Sequence, residues 1–76
     1  MKARVIVMPK QSVLDPQGVA VRNAIAHHGV PEVAVVRVGK MIELEFDGSV
    51  DSQRLHAICS ELLSNPVIED YTLEIQ

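Results

Sequence analysis

Apolar and polar residues alternate from the start of the chain. Ala3, Val5 and Val7 fall on one face and Arg4, Ile6 and Met8 on the other. This period of two, rich in β-branched residues, predicts a strand over residues 3–8. Pro9 and Lys10-Gln11-Ser12 end it. Asp15-Pro16 then opens a helix, because an aspartate caps unpaired N–H groups and proline suits the first helical position. The helix is expected to run to about His28, with Val21, Ala24, Ile25 and His28 along one stripe and Gly29 as its stop. Gly18 in the first turn costs up to about 1 kcal/mol against alanine. Its presence there predicts that something packs close to that backbone.

Residues Val33 to Phe46 read as a hairpin about Gly39-Lys40. A two-residue turn pairs Val38 with Met41 and puts Val33, Val35, Arg37, Ile42, Leu44 and Phe46 on one face. A turn one residue longer moves Val36 and Val38 to the Ile42 face, so the register stays open. In either register the strand before the turn is apolar on both sides, and two helices cover only one face of a small sheet. The second apolar face therefore calls for another chain. Asp47-Gly48 turns the chain, and Ser49 or Asp51 caps a second helix whose stripe is Leu55, Ile58, Cys59, Leu62 and Leu63. Each of these aliphatic side chains, fully buried, contributes about 1.5–3 kcal/mol, so this helix should anchor the core. Asn65-Pro66 stops it, and Tyr71, Leu73 and Ile75 alternate with Thr72 and Glu74 as a last strand. The predicted order is βαββαβ, an α+β two-layer sandwich. Two helices lie on one face of a four-stranded antiparallel sheet, in a single domain over residues 1–76.

Length sharpens the need for a second chain. A domain of 76 residues buries only about 60% of the surface its unfolded form exposes, and small proteins compensate with disulfides, a metal or oligomerisation. Cys59 is the only cysteine, and His27, His28 and His56 do not stand at zinc-ligand spacing, which leaves self-association. No apolar run approaches the roughly 18 residues that cross a bilayer, and Met1-Lys2-Ala3-Arg4 lacks a signal-peptide core. A cytoplasmic setting is expected. The net charge of −3, scattered Lys and Arg, and only Phe46 and Tyr71 as aromatics argue against nucleic acid.

Candidate chemistry is sparse. Glu43 and Glu45 share a strand face, as paired carboxylates would, but alternating charge on a solvated strand explains them. His27 and His28 point about 100° apart on a helix and cannot both face one ligand. Cys59 lies within an apolar stripe, where a thiol packs as a small hydrophobe, and nothing near it in sequence supplies a base. No phosphate-cradling glycine loop is present. The sequence therefore predicts no catalytic residue and no cofactor or metal on this chain.

Three segments hold more than simple connections need. Ser12-Val13-Leu14-Asp15-Pro16-Gln17-Gly18 sets two apolar residues among polar ones, either as a hydrophobic staple before the helix or as a docking loop. Arg37-Val38-Gly39-Lys40 puts two cations at a turn, solvated or reaching a partner's carboxylate. Asn65-Pro66-Val67-Ile68-Glu69-Asp70-Tyr71 carries two aliphatics that look exposed.

Together, these segments resemble the small subunit of phosphoribosylformylglycinamidine synthase, the PurS family. The likeness takes in Val36-Arg37-Val38-Gly39-Lys40 leading into Ile42-Glu43-Leu44, and Leu62-Leu63-Ser64-Asn65-Pro66-Val67-Ile68-Glu69-Asp70-Tyr71, and it covers essentially the whole chain. Ser64 stands where many members have alanine.

The resemblance implies a multi-subunit ligase of de novo purine synthesis. That enzyme converts formylglycinamide ribonucleotide, glutamine and ATP into formylglycinamidine ribonucleotide, glutamate, ADP and phosphate. In it a large synthetase subunit holds ATP and magnesium and a glutaminase releases ammonia. The small subunit forms homodimers or tetramers, bridges the other two and helps ammonia pass. Leu14, Asp15, Gln17, Arg37 and Lys40 are the partner contacts this reading expects. The competing reading is a regulatory domain that binds a small molecule at a dimer interface. It predicts a ligand-dependent rise in melting temperature. An acylphosphatase-like enzyme fits less well, since the loop after the first strand has no arginine-rich cradle.

Overall fold

The computed structural model describes residues 1–76. Strand β1 spans Lys2–Pro9, helix α1 Pro16–His27, strand β2 Lys40–Glu45, helix α2 Ser52–Ile58 and strand β3 Glu69–Ile75. A π-helical turn, Cys59–Leu63, continues α2. Asp15 caps α1 by accepting from the Gly18 amide, and Pro16 follows at its first position. Of the two candidate caps for α2, Asp51 takes the role, accepting from Gln53 N at 3.0 Å. Gly29, at φ +109°, lies just past the C-cap His28 and closes α1 as expected.

β1 is central, with β2 and β3 antiparallel on either side. Val5 stands opposite Ile42 and Leu73, and Val7 opposite Tyr71, so the period-two pattern turns one face apolar. Against that face the π turn sets Cys59 and Leu63. Val5, Val7, Leu55 and Cys59 are all buried below 2% exposure. The opposite face carries Lys2–Glu45 at 3.4 Å and Arg4–Glu74 at 4.0 Å, and Lys10–Asp70 at 3.0 Å joins the ends of the strands. Exposed pairs of this kind contribute about 0–1 kcal/mol each, so the apolar layer holds the sheet.

Two expectations fail. First, no hairpin forms about Gly39-Lys40. Residues 33–39 join no strand, β2 begins at Lys40 and pairs with β1, and the sheet has three strands instead of four. Second, only α2 lies on the sheet. The α1 stripe stays open, with Val21, Ala24 and His28 exposed and Ile25 half-buried, and Gly18 is the helix's one buried residue.

Both failures have one physical cause: the backbone of segment 33–38 is tied to α1 and pairs with no strand. Asp15 Oδ2 accepts from Val38 N at 2.8 Å, and Arg22 Nε donates to Ala34 O at 3.1 Å. The helix and the extended segment form one arm beyond the end of β1. The radius of gyration is accordingly 15.7 Å, where a compact domain of this length has about 11 Å.

Candidate partner-docking site

The hinge between sheet and arm is built from the three segments singled out in the sequence. The first is the loop before α1. Its Asp15 is half-buried and uses both carboxylate oxygens within the chain, Oδ1 toward Gly18 N at 3.0 Å and Oδ2 toward Val38 N. The Val38 and Gly18 amides, with a smaller contribution from the Arg37 guanidinium, hold this carboxyl below its ordinary value of 3.8. The second segment crosses the first turn of α1 so closely that a Cβ on Gly18 would collide with the Val36 carbonyl. The close packing expected at Gly18 is real. Gly39 meets a similar constraint, since its Cβ would collide with the Met8 sulfur. Arg37 donates to the Pro9 carbonyl, tying the segment to the end of β1. From the third segment, Lys10 N bonds Ile68 O at 2.9 Å, which draws Ile68 to the same corner.

Two open grooves result. One, of about 560 Å³, runs between Pro9, Val13 and Leu14 on one side and Val35, Val36 and Arg37 on the other. The second, of about 280 Å³, lies between Leu14, Gln17, Val38, Lys40 and Ile68. All five expected contact residues, Leu14, Asp15, Gln17, Arg37 and Lys40, line one groove or the other. Their situations differ. Leu14 is 79% exposed, and Gln17 and Lys40 point to solvent with no intrachain partner. Asp15 and Arg37 are committed to the hinge, so they shape the surface by holding the loop against the arm. Arg37 keeps the rest of an exposed guanidinium facing outward.

Sequence reasoning missed Val35, 74% exposed, whereas Val67, one of the two aliphatics that look exposed in the sequence, is indeed 79% exposed. Val35 read as a sheet residue because the alternation was assigned to a hairpin. Elsewhere, His27 Nδ1 lies 3.0 Å from Asn23 O, and His56 Nδ1 lies 2.8 Å from the Tyr71 hydroxyl, linking α2 to β3. Burial pushes the Cys59 thiol above its ordinary value of 9.0, so it remains protonated and packs as a hydrophobe.

The family model described as "PurS: Phosphoribosylformylglycinamidine (FGAM) synthase" matches residues 2–76. The phosphoribosylformylglycinamidine synthase subunit PurS of Mycobacterium leprae is 44% identical over 72 residues, covering 95% of this chain and 91% of the relative. That of Bacillus subtilis is 43% identical over 77 residues, covering 99% and 92%. A solved structure of B. subtilis PurS superposes with a TM-score of 0.87 at 43% identity, over 99% of this chain and 96% of that one. A chain of the Thermotoga maritima PurLQS structure superposes with a TM-score of 0.80 at 29% identity, over 96% and 93%. The match spans the strands, the hinge and the arm alike, and on that ground the chain belongs to the PurS family of FGAM synthase.

Proposed function

We propose that this chain is the non-catalytic small subunit of FGAM synthase in de novo purine (IMP) biosynthesis. It works in the cytoplasm as a homodimer that bridges the glutaminase and the ATP-dependent synthetase. The large partner carries ATP and magnesium. The observation that carries this reading is the convergence at one open corner of loop 12–18, segment 35–40 and connector 65–71, where Leu14 and Val35, each more than 70% exposed, face the groove. An apolar patch rimmed by cations and amides is how a subunit presents itself to a protein partner. A second chain of the PurLQS kind is the fitting occupant, since the T. maritima protein that superposes on this chain is one component of PurLQS.

The task suits such a scaffold. Ammonia released into bulk water is protonated and diffuses away, so glutaminase and synthetase must be held in one closed assembly with their sites aligned. A subunit contributes to that by orientation alone, converting an encounter through solvent into an intramolecular transfer. Arg37 and Lys40 would meet partner carboxylates, and Leu14 would enter a partner pocket.

The test is co-elution with synthetase and glutaminase in the presence of glutamine and ADP. Leu14→Asp and Arg37→Ala should weaken complex formation while the isolated chain keeps its circular dichroism and its self-association. Unchanged co-elution of both variants would refute the site assignment.

A further inference from the structure

We propose that the outer face of the sheet is a second docking surface, for a protein partner that carries a lysine or arginine among aliphatic side chains. The corner around Leu14 and Lys40 then takes the other partner, which presents carboxylates. The proposal rests on the reading of the chain as a bridge between two proteins and assigns each its own surface.

The pattern of β1 is the first observation. Val5 and Val7 face the π turn of α2, yet Ile6 and Met8 on the opposite side are also apolar and stay only half-buried. An antiparallel sheet with one wet face alternates apolar with polar, and a strand that is apolar on both sides belongs to a sheet covered on both. Neither helix lies over this outer face. The register sets Met41, 55% exposed, opposite Ile6, and Met8 follows two residues along the same side. One isoleucine and two methionines thus form an uncovered patch, and thioether side chains adapt readily to the shape of a partner.

Charge is the second observation. Toward the start of β1 the same face carries two cross-strand rows, Lys2 beside Glu45, and Arg4 between Glu43 and Glu74. They border an open hollow of about 510 Å³. Lys2 pairs with Glu45 at 3.4 Å, and Arg4 reaches Glu74 at 4.0 Å. Glu43 is exposed with no cation of its own, and Arg4 Nε is enclosed without an acceptor. Three carboxylates against two cations leave these rows negative. The unpaired one, Glu43, stands two residues from Met41 on one side of β2. A partner's lysine or arginine over Glu43, with aliphatic neighbours over Met41 and Ile6, complements both features.

The third observation is separation. The unpaired charge of the corner has the opposite sign, and its Lys40 stands opposite Val7, on the inner side of the sheet. From Arg4, across from Glu43, to Pro9 at the corner is five steps of strand, about 16–17 Å. Surfaces of opposite sign on different sides of the sheet each reject the other's partner by like-charge contact, so two proteins dock without competing.

The experiment titrates the full chain against the synthetase and the glutaminase separately, with glutamine and ADP present. Glu43→Arg and Met41→Asp, both at exposed positions, are compared with the parent and with Leu14→Asp after circular dichroism has checked the fold. Each outer-face variant should lose affinity for one partner by at least about tenfold, a repulsive contact replacing a favourable one, and keep the other. Leu14→Asp should do the reverse. Glu43→Gln, which keeps the shape and removes the charge, should fall between parent and Glu43→Arg for the same partner. Should Met41→Asp lose its sheet, the two Glu43 variants decide alone. A parent that binds neither protein would remove the bridging role itself. A parent that binds both, with outer-face variants at parental affinity for each, would leave that role standing and overturn the second surface. Loss of the same partner by Glu43→Arg and Leu14→Asp alike, or a parent that binds only one protein, would overturn it too.

Discussion

Gly18→Ala tests the hinge most sharply, because two effects of known size oppose each other there. Alanine in a helix interior is favoured over glycine by about 0.5–1 kcal/mol, so propensity alone predicts a more stable protein. Against that, the new methyl would collide with the Val36 carbonyl and stand 2.7 Å from Asp15 Oδ2 and 3.0 Å from Asp15 Cγ. Neither neighbour can yield cheaply. Val36 is backbone held two residues from the Val38–Asp15 hydrogen bond, and Asp15 is held by Gly18 itself. Overpacking of this kind costs about 1–3 kcal/mol, and subtracting the propensity gain leaves a net loss of up to about 2.5 kcal/mol. For a domain of this size each kcal/mol lowers the melting temperature by about 4–8 °C. The assay is thermal unfolding at a fixed protein concentration, since the midpoint of any self-associating chain depends on concentration. Ala20→Gly, on the exposed side of the same helix, isolates the propensity contribution at about 1 kcal/mol. A Gly18→Ala protein that melts at or above the parent temperature would show that the arm does not cross the helix closely, and the hinge geometry would fall with it.

Two further outcomes follow from the core and the cap. Leu55, wholly buried in α2, should cost about 2–5 kcal/mol when replaced by alanine, read as a lower urea midpoint with an unchanged slope. For Asp15, whose folded pKa lies below 3.8, the unfolded chain binds the proton more readily. Its contribution is therefore complete above the unfolded value and disappears as pH falls through the lowered folded value. Urea midpoints measured downward from about pH 6 should fall less steeply for Asp15→Asn than for the parent.

The sequence showed most elements, and its failures have definite causes. β1, both helices and β3 were legible because a central strand, a capped helix and a proline stop each leave local signals: the Ala3-Val5-Val7 alternation, Asp15-Pro16, Asn65-Pro66. The stripe of α2 was correct through Leu55 and Cys59 and failed at Leu62, which is 77% exposed. The final turn is π-helical, and its i→i+5 spacing takes later residues out of the 3.6-residue phase. The hairpin failed for another reason. Alternation on both sides of Gly39-Lys40 marks two extended segments but not what each packs against, and the deciding contacts join residues as far apart as Asp15 and Val38. The candidate site was legible as a list of residues, because unusual apolar content in loops marks a surface with a purpose. Its division into exposed contacts such as Leu14 and hinge residues such as Asp15 required the hydrogen bonds.

In the proposed role the chain organises two catalytic partners without performing chemistry itself. Its most direct test is reconstitution of synthetase and glutaminase with and without this chain, with product formation followed from glutamine and, separately, from ammonium added in excess. Glutamine-driven synthesis should depend on the chain, and ammonium-driven synthesis by the synthetase should be far less affected by its omission. Equal glutamine-driven rates with and without it would contradict the account.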